Sequence, residues 1–79
     1  MKTLRRLDHT GDTCVQFDDT PATAAEQAKA KEIFDEWMRK KLPAFLTKRP
    51  GGKEDLKITS FDQIEEGAET ILVPAIVPG

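Results

Sequence analysis

Asp8, His9, Asp12 and Cys14 are the residues of this chain whose types and spacing could do chemistry together. A histidine beside a carboxylate can serve as a base or a metal ligand, and a nearby thiol can serve as a nucleophile. The spacing does not fit zinc, whose recognised sites use paired Cys or His two to four residues apart. Thiol catalysis would need Cys14 and His9 within hydrogen-bond reach and a third group to orient the base. The plain reading is a polar turn followed by a small strand thiol. Glu54-Asp55 and Glu65-Glu66 lie in turn-like sequence, whereas acid–base work needs an apolar cleft that splits the two pKa values. Gly51-Gly52-Lys53 lacks the G-x-x-x-x-G-K-[ST] pattern and the following helix of a phosphate loop. The expectation is a chain that is not an enzyme and has no cofactor or metal motif.

Composition narrows the class further. A chain of 79 residues has room for one domain, residues 1–79, with one thin core. Cys14 is the only cysteine, so no intrachain disulfide can form, and a lone thiol suits a reducing cytoplasm. The start Met1-Lys2-Thr3-Leu4-Arg5-Arg6-Leu7 is basic like the head of a signal peptide, but Asp8-His9-Thr10-Gly11-Asp12 stands where an apolar run should follow. No stretch approaches the roughly 20 apolar residues of a membrane span. A soluble cytoplasmic protein is expected. Its formal net charge of −2 argues against a general nucleic-acid binder. Arg39, Lys40, Lys41, Lys48, Arg49 and Lys53 nevertheless gather around the end of the helix read below. They read either as cations complementing a helix C-terminus or as a basic patch facing phosphate or acid.

The elements that must position these residues follow from periodicity. Residues 3–8 and 13–17 read as a β-hairpin. Thr13, Val15 and Phe17 share one face and Cys14 and Gln16 the other. His9-Thr10-Gly11 suits a three-residue loop. Leu4 and Leu7 fall on opposite faces, which leaves the first strand's register open. Thr20 with Pro21 can start a helix, and Thr23-x-x-Glu26 offers a competing capping box. Ala30, Ile33, Phe34, Trp37 and Met38 then form one apolar stripe. Asp35 with Arg39 and Glu36 with Lys40 are acid-first i,i+4 pairs on the opposite face. Leu42-Pro43 ends the helix. Residues 44–48 and 56–59 are short strands around a Pro-Gly-Gly turn. Ser60 to Ile64 reads as one helical turn pinned to the core, and Glu65-Glu66-Gly67-Ala68 as a turn. Residues 69–73 form a last strand whose unbroken apolar run suggests a central position buried on both faces. Pro74 weakens pairing there. The fold class is α+β, ordered β-β-α-β-β-β, with one helix across a small mixed sheet.

The chain closes on Pro74-Ala75-Ile76-Val77-Pro78-Gly79, an apolar extension that calls for burial. Hairpin, helix and strands in this order, together with Gly67 to Gly79, resemble the β-grasp or ubiquitin-like group. The ending is similar to the last strand and tail of its sulfur carriers, such as the molybdopterin-synthase small subunit. The resemblance implies a tail, Ala75 to Gly79, that threads into an enzyme, and a reactive carboxylate on Gly79. Pro78 stands where those carriers have the first glycine of Gly-Gly, and a narrow channel admits no side chain. In size and acidity the chain also resembles short proteins of phages and mobile elements.

The expected function is a non-catalytic protein-interaction module that docks on a protein partner or on a second copy. Two surfaces offer themselves. One is the tail, Pro74 to Gly79. The other is a helix face of Phe34, Trp37 and Met38, residue types that interfaces favour but that at this spacing also build cores. A phage or mobile-element accessory or assembly protein fits this description. The alternative is a carrier that uses the Gly79 carboxylate.

Overall fold

A computed structural model of the protein describes residues 1–8 and 11–74. Its elements are β1 (Lys2–Asp8), β2 (Gly11–Phe17), α1 (Ala24–Arg39), β3 (Ala44–Thr47), β4 (Leu56–Ile58) and β5 (Glu69–Leu72), the order read from the sequence. The strands form one five-stranded sheet in the order β2-β1-β5-β3-β4. β1 and β5 run parallel, and the other neighbours are antiparallel. A mixed sheet carrying one helix on a single face is α+β, and this strand order is β-grasp-like.

Two periods build the core. On β2 the two-residue period turns Val15 and Phe17 inward and leaves Cys14 and Gln16 exposed. On α1 the 3.6-residue period buries Ala30, Phe34 and Trp37, with Ile33 and Met38 partly covered beside them. Leu4, Ala44, Leu46, Ile58 and Leu72 complete the sheet's share. The turn at Phe61–Gln63 closes one end. The Phe61 ring stacks on Phe17 with centroids 5.5 Å apart and meets Phe34 edge-on at 5.9 Å. That turn is held by a capping box, in which Gln63 Oε1 accepts from the backbone N–H of Ser60 and also from that of Thr59.

Thr70 is the polar member of this core. It lies on β5 between Leu4 and Leu46, fully buried, and its hydroxyl has no partner among the described residues. A buried hydroxyl without a hydrogen bond is destabilising, whereas a methyl of the same shape is not. Thr70→Val is therefore expected to raise stability by about 1 kcal/mol, read as a higher urea midpoint at unchanged slope. A lower midpoint would show that the hydroxyl is satisfied after all.

Several local expectations are corrected. The hairpin loop has two residues rather than three, because Gly11 already pairs with Asp8 and only His9 and Thr10 lie between. Neither threonine hydroxyl caps α1. Both turn back to Asp18, whose Oδ1 accepts from Thr23 Oγ1 at 2.8 Å, from the Thr20 N–H at 2.9 Å, and from the Thr20 hydroxyl. The Thr23–Glu26 capping box does not form, since Thr23 Oγ1 accepts from the Asp18 N–H instead. Pro21 does occupy the first position of the entering turn. Asp35 pairs with Lys31, one turn back, at 2.8 Å and not with Arg39, while the Glu36–Lys40 pair is present at 3.7 Å.

The helix stops before Leu42-Pro43. Lys41 adopts a left-handed φ of 57°. Its N–H donates to the Met38 carbonyl at 2.9 Å, and that of Leu42 to the Trp37 carbonyl at 3.4 Å. This is a Schellman ending built without the usual glycine. β5 is central in the sheet but not covered on both sides. Thr70 and Leu72 are buried, whereas Glu69 and Ile71 are only partly so. The unbroken apolar run reflects a strand between two neighbours, not a strand between two layers.

Candidate functional site

The described residues do not assemble the Asp8, His9, Asp12 and Cys14 cluster into a site. His9 lies outside them, as does the side chain of Asp8. Asp12 and Cys14 alternate with Thr13 on the outermost strand, both exposed, and Cys14 stands across from Arg5 of β1. Among the described residues no three His, Cys, Asp or Glu side chains come together as a metal would require.

The proposed helix face points inward. Phe34 is 1% exposed and Trp37 6% exposed, so both are spent on the domain's own core. The Trp37 indole N–H donates to the Pro43 carbonyl at 3.0 Å, which fixes the ring. Only Met38 retains surface, at a shallow groove shared with Leu42, Pro43 and Ile58 and rimmed by Lys41 and Lys57. Of the tail, Pro74 is exposed, and Ala75, Ile76, Val77, Pro78 and Gly79 lie outside the described residues.

The basic cluster is divided by β3. Arg39, Lys40 and Lys41 sit at the end of α1, before this strand, and Lys48 and Arg49 follow it. Four strand residues separate the two groups by about 13 Å. Lys48 pairs with Glu69 at 3.3 Å. Arg49 grips Glu65 with both Nε and Nη2 at 3.0 Å, while Nη1 donates to the Glu54 carbonyl at 3.0 Å. Arg49 thus clamps the β3–β4 connection to the loop before β5, and it is not a free cation awaiting a ligand.

The clamp sets a pH dependence. Hydrogen bonding from Arg49 holds the Glu65 carboxyl below its usual range, with a further contribution from Lys53. Asp18 is lowered in the same direction, first by the Thr20 hydroxyl and then by the Thr20 N–H and Thr23. A carboxyl whose folded pKa is depressed stabilises the fold fully above its unfolded value of about 4. That stabilisation is lost as pH falls through the folded value. The stability gap between the wild type and Glu65→Gln is therefore expected to narrow as pH drops from 7 toward 3. Urea midpoints across that range measure it; a gap independent of pH would show that Glu65 does not titrate against Arg49.

The surface that sequence reasoning missed is the sheet face opposite α1. Cross-strand register places Cys14, Arg5, Ile71, Phe45 and Lys57 in one row across all five strands. Neighbours in such a row are about 4.8 Å apart. Ile71 and Phe45 are partly exposed at its centre. Leu7 and Val73 continue the apolar strip toward the hairpin end, both partly exposed. The Val73 N–H extends the β5–β3 pairing by donating to the Pro43 carbonyl at 3.2 Å. Around the strip stand Arg5, Lys57 and Lys48, with Glu69 bridged by Arg5 at 3.5 Å and by Lys48 at 3.3 Å. The face is thus an apolar strip with a rim of mixed charge, Arg5, Lys48 and Lys57 with Glu69 and Asp12, and no described element covers it.

No helix of the described residues is long and apolar enough to cross a membrane. No family model, curated protein or solved structure matches this chain.

Proposed function

We propose that the protein is a non-catalytic interaction module that receives a protein partner on its open sheet face. The observation that carries this reading is Ile71 beside Phe45, two large, partly exposed apolar side chains at the middle of a sheet face that no described element covers. A contiguous apolar patch with a polar rim is the ordinary mark of a contact surface. Arg5 and Lys48 share Glu69, and Asp12 lies on the same face, so the apolar strip and not the charge of its rim carries the reading. The strip leads through Val73 to Pro74, where the apolar segment Ala75-Ile76-Val77 begins. The partner is assigned both this face and the apolar sequence that follows Pro74. An accessory or assembly role in a phage or mobile element accords with a module of this kind.

The test is affinity capture from extracts of the source cells with the wild type, Ile71→Glu, and a chain shortened to residues 1–73. A specific partner retained by the wild type and lost by both folded variants supports the reading. Equal capture by all three overturns it. A second reading, a ubiquitin-like carrier, is favoured by the β2-β1-β5-β3-β4 strand order. In that reading the Gly79 carboxylate is adenylated or converted to a thiocarboxylate. Pro78 weighs against it. A mass increase on Gly79 after incubation with the activating enzymes of the same genome supports it, and an unchanged mass with all of them removes it.

A further inference from the structure

We infer that β2 is a self-association edge, which pairs antiparallel with β2 of a second copy about Cys14 to join two sheets into one. β2 is the last strand on its side of the sheet and runs for seven residues, Gly11–Phe17. Because only two residues connect β1 to β2, the Asp8–Gly11 pair must be a hydrogen-bonded one. Hydrogen-bonded and non-hydrogen-bonded pairs then alternate along the hairpin. Thr13, Val15 and Phe17 spend their backbone groups on β1, whereas Asp12, Cys14 and Gln16 aim theirs at the edge that no described strand covers. These three residues are all exposed.

The two edges of the sheet are protected unequally. β4 is three residues long and places Lys57 at its middle, the short strand and lysine with which proteins blunt an edge. β2 has neither device. It contains no proline and no cation, and Asp12 is its one charged residue.

The β2 sequence is also its own complement. Centred on Cys14, antiparallel pairing sets Asp12 opposite Gln16 of the second copy, so that each carboxylate meets an amide donor and no like charges face each other. Thr13 falls opposite Val15, a β-branched pair on the helix side. Centring on Asp12 or on Gln16 instead would oppose two carboxylates or leave half the strand unpaired. The cysteines become an outward hydrogen-bonded pair, with Cα atoms about 5.5 Å apart. A single edge strand of this length supplies few contacts, so the association is concentration-dependent. The inference does not rest on the partner proposed above, whose contacts lie on the sheet face and not at its edge.

The experiment is sedimentation equilibrium of the full chain in reducing buffer up to millimolar concentration, combined with amide hydrogen exchange. The expected mass rises toward twice the 8.8 kDa of the chain. The amides of Asp12, Cys14 and Gln16 gain at least tenfold protection with concentration, while those of Thr13 and Val15 are protected throughout by β1. Cys14→Lys places two cations face to face at the centre of the pairing. Its side chain projects into solvent, so the Thr13 and Val15 amides stay protected while the dimer is lost. Cys14→Ser keeps the dimer, which separates edge pairing from thiol chemistry. A strictly monomeric wild type, or a dimer that survives Cys14→Lys unchanged, or free exchange at the three outward amides in a dimeric sample, overturns the inference.

Discussion

Phe34→Ala is expected to remove about 3–5 kcal/mol of stability, the cost of emptying a buried aromatic site. Phe34 is 1% exposed, lies in the middle of the buried stripe of α1, and packs edge-to-face with the Phe61 ring. Phe61 in turn stacks on Phe17 of β2. One side chain therefore joins the helix to the turn before β5 and, through it, to the first hairpin. A domain of 79 residues has a total stability of about 4–12 kcal/mol. The substitution consumes a large share of that margin, and a chain this small has no second core to fall back on. Urea denaturation followed by circular dichroism measures the effect. A loss below about 1 kcal/mol would mean that Phe61 and its neighbours collapse into the site. The helix would then not be seated on the sheet through this ring.

Gly67→Ala carries the next largest effect, for a backbone reason. Gly67 has φ of +80°, and a Cβ there would stand 3.3 Å from Pro50 Cγ. A left-handed conformation costs a non-glycine residue about 1–2 kcal/mol, and here the proline ring must also give way. The Gly67 N–H donates to the Met1 carbonyl at 3.1 Å, so any local shift also disturbs the start of β1. Gly51 and Gly52 have similar φ values of +79° and +71°, but a Cβ on either would meet nothing within 4 Å. The expected order is thus Gly67→Ala at about 2 kcal/mol, above Gly51→Ala and Gly52→Ala at about 1 kcal/mol each. Equal losses at all three positions would show that conformation alone decides and that the Pro50 contact is relieved without cost.

Much of the fold was legible because local periodicity carries it. The stripe Ala30, Phe34, Trp37 specified α1 and its buried face, and Val15 with Phe17 against Cys14 and Gln16 specified the inward side of β2. Strand order is different, because it depends on pairings distant in sequence. Nothing near Thr3 announces that Glu69 lies alongside it in parallel. Without that pairing the open row through Ile71 and Phe45 cannot be drawn. The apolar run of β5 consequently read as two buried faces. The alternation of Ala44, Leu46 against Phe45, Thr47 was the available signal, and it becomes informative only when β5 is known to lie beside β3. The caps failed for a smaller reason. Thr20 and Thr23 both carry the right hydroxyl, but Asp18 competes for them and wins because it stands within reach of both.

The double use of one carbonyl has an optical consequence. The Pro43 oxygen accepts at once from the Trp37 indole and from the Val73 backbone. Trp37 is the sole tryptophan of the chain, and the molecule has no tyrosine. Ultraviolet emission is therefore dominated by a single fluorophore whose hydrogen-bond acceptor is shared with Val73, the residue after β5. Any event that lifts that strand's end from its neighbour changes the polarity felt by the indole. Colour and intensity of the emitted light thus serve as a label-free gauge of how the end of β5 is seated against β3.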